Sequence, residues 1–445
     1  MIPATDSYPL WHGSVPIRTA RAELDPTRSL VSAKGCVVVD LVGREYLDAR
    51  SNLWNVILGY DDDKVNSAVV NQLHQLSAGT TIRFEQPPAV TVEYARRLVA
   101  HLDYKYRAVR ICQTGSQAVE GALLLSRFLR SIGGEGKRLT ILAFDGSWHG
   151  VGAAAGAVSG EPSLDYITGP LLPGVAHLSE PACERCSAGV TRQMMCECEY
   201  NVLLELAGFD SSTVSALIFE PILGTRKHVL SAEFLLAIIK YCKEAGIHTI
   251  ADEISTGFGR TGALSLLSTY GTSADMLLFG KGMTNGLTSG SAIAVSPSVY
   301  EAVYDPPSGE GFPHGSTADG SPLVAAAGLA VLDRLEDGQL YSQAREMGAH
   351  LIGLFEELAR RRSGIGAIRG VGLMLGVALV NVDGSPWTTM QTLKFRWRCE
   401  ELGVLLHSTY NMVHVSPPLI ISLEECRTIV AVFERALDET GTGGV

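Results

Sequence analysis

Several signals that would narrow the function at once are missing from this chain. No apolar run approaches the roughly 18 residues of a membrane-spanning helix, and the first ten residues show no basic stretch leading into an apolar core. Neither a membrane partner nor a secretory leader is therefore expected. Basic residues are outnumbered, with 36 Lys and Arg against 47 Asp and Glu and a net charge of -11. That balance excludes the basic face a nucleic-acid partner requires. The nine cysteines are an odd count, and Cys36, Cys112 and Cys242 sit in or beside apolar runs. Such usage predicts thiols in a reducing cytoplasm rather than a disulfide framework. Internal repeats and low-complexity segments are also lacking.

What is present suits a sizeable enzyme. The 445 residues are 46% hydrophobic and 19% charged, enough for two or three domains around a large core. From Val109 the pattern becomes strand, turn, helix, repeated. Strands are expected at Val109–Cys112, Leu139–Phe144, Ser215–Phe219, Ile247–Ala251, Met276–Phe279 and Ala292–Val295, with helices at Ala118–Leu129 and Phe234–Ala245. This alternation predicts an α/β fold with a mostly parallel sheet covered on both faces. Before it come two short strands, Cys36–Asp40 and Glu45–Leu47, and helices over Val65–Leu76 and Val90–Leu102. After it come a long helical tract over Pro322–Arg362 with a break near Gly338, a strand at Val371–Val380, a helix at Thr389–Leu402, a strand at Val413–Val415 and a last helix over Glu424–Asp438. The expected organisation is an N-terminal segment (1–54) packing with a small domain, a large domain (55–320) and a small C-terminal α/β domain (321–445).

Two apolar runs end in charge. Ile250-Ala251 is followed by Asp252, and Phe279-Gly280 by Lys281. Open α/β sheets place their chemistry at the carboxyl ends of such strands, and a buried lysine is expensive unless paired or used covalently. The pair reads either as a Schiff-base lysine with a carboxylate for a cofactor ring nitrogen or as a structural ion pair. Other strand ends carry further candidates. Gln113-Thr114-Gly115-Ser116-Gln117-Ala118 opens a helix, so Gly115 and Ser116 are placed to meet a phosphate, or simply to form a capped βα loop. Trp148, in Phe144-Asp145-Gly146-Ser147-Trp148-His149-Gly150, is either a stacking platform for a planar cofactor or a buried loop aromatic. Glu220 either joins the network around Asp252 or caps a helix. Thr317, in His314-Gly315-Ser316-Thr317, is a helix cap or a phosphate ligand. Cys183, Cys186, Cys196 and Cys198 pair as Cys-x-x-Cys and Cys-x-Cys, a weak match to zinc or iron–sulfur spacing. A thiol-bearing surface loop with no metal is the default there.

Taken together these stretches resemble a known family. Asp252-Glu253-Ile254-Ser255-Thr256-Gly257-Phe258-Gly259-Arg260-Thr261-Gly262 with Phe279-Gly280-Lys281-Gly282 is similar to the class III pyridoxal-phosphate-dependent aminotransferases. Leu47-Asp48-Ala49, Gly115-Ser116-Gln117-Ala118-Val119-Glu120, Trp148-His149-Gly150, Glu220-Pro221, Gly315-Ser316-Thr317 and Arg369-Gly370-Val371-Gly372-Leu373-Met374 follow in the family's order, over nearly the whole chain. The resemblance implies PLP fold type I, with a seven-stranded-type sheet in the large domain, and a homodimer sharing its active site. It implies Lys281 holding the cofactor as an imine, Asp252 pairing the pyridine nitrogen, and Trp148 and Ile254 on the two ring faces. Gly115 and Ser116 would take the phosphate, helped by Thr317 of the partner subunit. Leu10-Trp11-His12 and Leu53-Trp54 resemble substrate-pocket segments of the ω-amine and diaminopelargonate branch, which makes Trp11 and Trp54 substrate candidates.

The chain departs from the family in two places. Where many members carry an arginine that forks onto a substrate carboxylate, counting back from Pro417-Pro418-Leu419 puts His407. Where ornithine- and γ-aminobutyrate-handling branches carry glutamate stands Thr225, followed by Arg226 and Lys227. The expectation is a cytoplasmic aminotransferase in a specialised biosynthetic pathway. It would move an amino group between a primary amine or amino acid and a ketone or aldehyde, ping-pong through a pyridoxamine form. The acceptor would lack a conventional carboxylate next to the reacting carbon, and glutamate or alanine as donor would then need another anchor, in Arg226 or a backbone site. The alternatives are a PLP-dependent racemase or aminomutase using the same Lys281, and a non-catalytic scaffold or partner subunit.

Overall fold

A computed structural model describes residues 10–14, 26–83, 85–161, 172–182, 193–306, 309 and 311–440. Its strands, in chain order, are β1 (Leu30–Lys34), β2 (Val37–Asp40), β3 (Glu45–Asp48), β4 (Ala108–Cys112), β5 (Thr140–Phe144), β6 (Val175–Leu178), β7 (Val214–Phe219), β8 (Ile222–Leu223), β9 (His228–Val229), β10 (His248–Asp252), β11 (Met276–Phe279), β12 (Ser291–Val295), β13 (Ile365–Val371), β14 (Met374–Leu379), β15 (Val404–Leu405), β16 (His407–Thr409) and β17 (Met412–Val415).

Seven strands form the central sheet in the order β4-β12-β11-β10-β7-β5-β6. The β10–β11, β10–β7, β5–β7 and β5–β6 pairs are parallel. Strand β12 runs against both its neighbours, so it is the one reversed strand of a mostly parallel sheet. β7, β11 and β12 are buried along their whole length, as expected of strands covered on both faces. The helix over Gly115–Ile132 packs on this sheet. Thr114 caps it by accepting the Gln117 N–H, and Ser231 caps the helix over Ala232–Glu244 in the same way.

Two smaller sheets stand beside the large one. Antiparallel β13-β14-β17-β16 come from residues 365–415. In the other, β1-β2-β3 are joined by β15, which lies parallel to β3 with Val404 opposite Leu47. The N-terminal strands and the C-terminal region thus share one sheet.

The sequence pattern and the structure differ in the strands. The stretch 371–380 is not one strand: Gly372 turns the chain at φ 58°, and β13 and β14 pair on either side of it. The short β6, β8, β9 and β16 carry no alternation long enough to announce them. The long helical tract breaks where expected, into Pro322–Leu335 and Gln339–Arg361, with Gly338 at φ 71° between them, a conformation glycine adopts at little cost.

Candidate active site

The parallel strands set the site by where they stop. Asp252 is the last residue of β10, Glu220 follows β7, and Lys281 lies two residues past β11. Adjacent strands pair Asp252 with Leu278, so these carboxyl ends share one edge of the sheet. Asp252 is 5% exposed. Its Oδ2 accepts from His149 Nδ1 at 2.8 Å and its Oδ1 from the Ile254 N–H at 3.1 Å. The His149 ring is therefore in the Nδ1–H tautomer, and its buried Nε2 has no partner. Lys281 begins a 3-10 turn at φ 44°, a left-handed conformation that a non-glycine residue adopts under strain. Its ammonium donates to Ser255 Oγ. Burial, with a smaller contribution from Arg260, lowers the Lys281 pKa to about 8 against the opposing carboxylates of Asp252 and Glu220. The alternative of a direct structural ion pair does not fit, since no carboxylate among the described residues stands within ion-pair distance of Lys281.

Around this pair is a cradle with little room for side chains. A Cβ on Gly115 or on Gly280 would come within 3.1 Å of Ile254, so Ile254 packs between the two loops. A Cβ on Gly150, at φ 101°, would lie 2.3 Å from Ser116 Oγ, and that hydroxyl accepts the Val151 N–H at 3.1 Å. Gly115 and Ser116 open an 18-residue helix, whose first N–H groups and dipole favour an anion. Trp148 follows β5, and its N–H donates to Glu220 Oε2 at 2.8 Å. Glu220 also accepts from Gly224 N at 3.2 Å, so it is no helix cap but a strut between two loops. Burial, with Asp252 close by, raises its pKa to about 7. Thr317 is exposed, on a loop whose Asp319 is held by Gln117 at 3.0 Å.

The expected substrate residues divide into three groups. Trp54 reaches the site: Lys281 Nζ lies 4.6 Å from its ring centroid. His407 contacts Trp54 edge-on at 6.0 Å, and burial lowers its pKa to about 4, so it carries no positive charge at neutral pH. Arg226 is 43% exposed, is paired to Glu180 at 2.9 Å, and lies over the Tyr410 ring at 5.4 Å. Its charge is already answered. Trp11 lies on the surface, 76% exposed.

Sequence reasoning missed His149, Ser255, Lys227 and His414. His149, Ser255 and Lys227 lie in or beside the stretches singled out above, but nothing in the local pattern distinguishes them there, and only the fold brings all four to Asp252, Lys281 and Trp54. Of the cysteines, Cys183 and Cys186 fall outside the described residues. Cys196 is a helix N-cap, with Sγ accepting from Glu199 N, and no group of potential metal ligands occurs among the described residues.

The residues present fit pyridoxal phosphate. A fixed buried carboxylate suits its ring nitrogen, a half-buried amine of lowered pKa suits its aldehyde, and the glycine-lined helix start suits its phosphate. Comparisons with known proteins point the same way. Residues 19–437 match the family model described as Aminotransferase class-III. An omega-aminotransferase of Caulobacter vibrioides is 28% identical over 93% of this chain and 94% of its own. An alanine/serine racemase of Pyrococcus horikoshii is 30% identical over 92% of this chain and 86% of its own. Among solved structures, a PLP-bound amine transaminase from an uncultivated Pseudomonas species superposes with a TM-score of 0.90 at 28% identity, covering 98% of this chain and 100% of that one.

Proposed function

The chain belongs to the class III aminotransferases, pyridoxal-phosphate enzymes of fold type I, and on that premise we propose the following residue roles and substrate range. The amino group moves between a primary amine or amino acid and a ketone or aldehyde. The observation that carries this reading is the half-buried, strained Lys281 beside the His149–Asp252 pair.

When bound, pyridoxal phosphate supplies an electrophilic aldehyde and a ring that accepts the electrons of the bond broken at the substrate carbon. Lys281 would hold the aldehyde and, as an amine whose pKa sits near working pH, would act as the general base that carries a proton at the substrate carbon. Ser255 accepts from Nζ and aims it. Asp252, oriented by the His149 Nδ1–H, favours a proton on the pyridine nitrogen. Gly115 and Ser116 would hold the phosphate, and Ile254 and Trp148 would stand beside the ring. Trp54 and His407 line the substrate side.

We further infer a homodimer in which Thr317 of each subunit serves the partner's phosphate site. Supporting this, Thr317 is exposed and lies beside a groove of about 1100 Å³ lined by Ile82, Arg110, Phe312 and His314. A reducing cytoplasm suits the buried thiols of Cys36, Cys112, Cys242, Cys399 and Cys426, and no helix among the described residues is long and apolar enough to cross a membrane.

Incubation with 1-phenylethylamine and pyruvate tests the reading. Acetophenone and alanine should form in equal amounts, with no product from K281A. Failure of a broad panel of amines to change the visible absorbance of the loaded enzyme would overturn it. The likeness to an alanine/serine racemase favours racemisation as the second reading; it predicts turnover of a chiral amino acid without any keto acid.

A further inference from the structure

The departures at His407 and Thr225 leave the pocket without the arginine fork, yet not without a cation. Lys227 sits in the turn between β8 and β9, at φ 55°. Side chains other than glycine, asparagine or aspartate seldom occupy this conformation, so the lysine is held there against a backbone preference. Its side chain is 0% exposed. The stem crosses β14 at Gly376, where an added Cβ would meet Lys227 Cγ at 2.7 Å. The ammonium donates to the Gly224 carbonyl at 2.9 Å and lies 3.6 Å from the Trp54 ring centroid. Lys281 Nζ is 4.6 Å from the same centroid.

A buried ammonium ordinarily has a carboxylate partner. Among the described residues none stands within ion-pair distance of Lys227, and the charges that act on it are Lys281, Glu220 and Arg260, two cations against one acid. Burial and Lys281 hold its pKa well below the ordinary lysine value, and an arriving anion would reverse that shift. Two more polar groups here lack partners: Trp54 Nε1 and His414 Nδ1 are buried without a hydrogen bond. The His414 ring stacks on Trp54 at 5.4 Å. The ammonium, held by one neutral carbonyl and the Trp54 ring, thus lies beside two unpartnered polar atoms and the Lys281 amine, with no carboxylate in reach to answer its charge.

Resting on the aminotransferase reading, we propose that Lys227, with the Trp54 indole N–H and His414 beside it, forms the binding site for a substrate carboxylate. It binds as a point charge where relatives of the arginine type use a planar fork. Arg226, the neighbouring residue, is a rim residue tied to Glu180 and does not share this task.

Dead-end binding to the cofactor-loaded enzyme tests the site without turnover. Butyrate and butanamide share a shape and differ in charge. The wild-type holoenzyme should bind butyrate about tenfold or more tighter by calorimetry, the scale of a charge-assisted contact. K227M, near-isosteric and neutral, should erase the preference, and so should K227G, whose backbone suits the left-handed turn and guards against misfolding. In turnover, the same variants should lower kcat/KM for alanine relative to isopropylamine by a similar factor. Equal binding of the two ligands by the wild type, or a preference that survives in both variants, would overturn the proposal. A wild-type enzyme that transfers amino groups without preferring butyrate sinks this site alone. One that prefers butyrate yet transfers no amino group upholds the site and sinks the aminotransferase reading.

Discussion

The lowered pKa of Lys281 makes a sharp prediction about how the apoprotein captures its cofactor. Only a neutral amine attacks an aldehyde. A lysine at its ordinary value of 10.5 is about 0.1% neutral at pH 7.5, whereas one at about 8 is about one quarter neutral. Capture near neutral pH should therefore run about two hundredfold faster than a solvent-exposed lysine allows. The measurement is the rate of covalent attachment of pyridoxal phosphate to apoprotein across pH 6 to 11, with borohydride reduction and peptide mapping to identify the lysine. The rate should rise through a midpoint near 8, with the label on Lys281. Asp252 and Glu220 both favour the protonated amine, so D252N should move the midpoint lower. The same shift has a stability consequence. A lysine depressed from 10.5 to about 8 disfavours the fold by about 3 kcal/mol while protonated. Below pH 8 that penalty is present in full, and it is relieved as pH climbs toward 10.5, so on this group's account the apoprotein gains stability there. A midpoint at 10 or above, or an upward shift in D252N, would refute the reasoning.

Other outcomes follow from individual contacts. D252A should lower kcat by about 10²–10³-fold, and H149A should weaken cofactor affinity about tenfold through loss of a buried charge-assisted hydrogen bond; equal and negligible effects would show that the pair does not serve the ring nitrogen. Glu253 is fully buried and accepts from Thr256, Ser265, Leu266 N and Leu267 N, so E253A should cost about 3–5 kcal/mol, read as a lower thermal midpoint with the cofactor spectrum retained in the folded fraction. C196S should keep the N-cap and change stability by no more than about 1 kcal/mol, with no metal found by elemental analysis in either protein; bound zinc lost on substitution would assign the cysteines a metal.

Much of the proposed catalytic apparatus is legible because it lies on the chain's strongest regularities. Apolar strands that end in Asp252, Lys281 and Glu220 announce themselves, since a charge at the edge of a buried run has few structural uses. Gly115 and Gly150 stand out because only a side chain of hydrogen fits against Ile254 and Ser116. The substrate side was read less well. His407 was found by counting from a proline pair, but its neutrality depends on burial among Arg396, Lys227 and Arg50. Arg226 looked like the free cation and Lys227 like its neighbour. The turn between β8 and β9 sends one to the rim and the other inside.

Composition and local pattern therefore decided the sheet, its doubly covered strands, and the identity of the carboxylate and amine at its edge, because strand burial and strand-end chemistry are written within a few residues of one another. The tertiary structure alone decided that His149 meets Asp252, that Ser255 meets Lys281, and that Trp54 is shared by two lysines, both of them 173 positions or more away in the chain. Hydrogen bonds and ring contacts act over a few ångströms, and those ångströms are set by which loops the strands bring to the same edge, which no local pattern encodes.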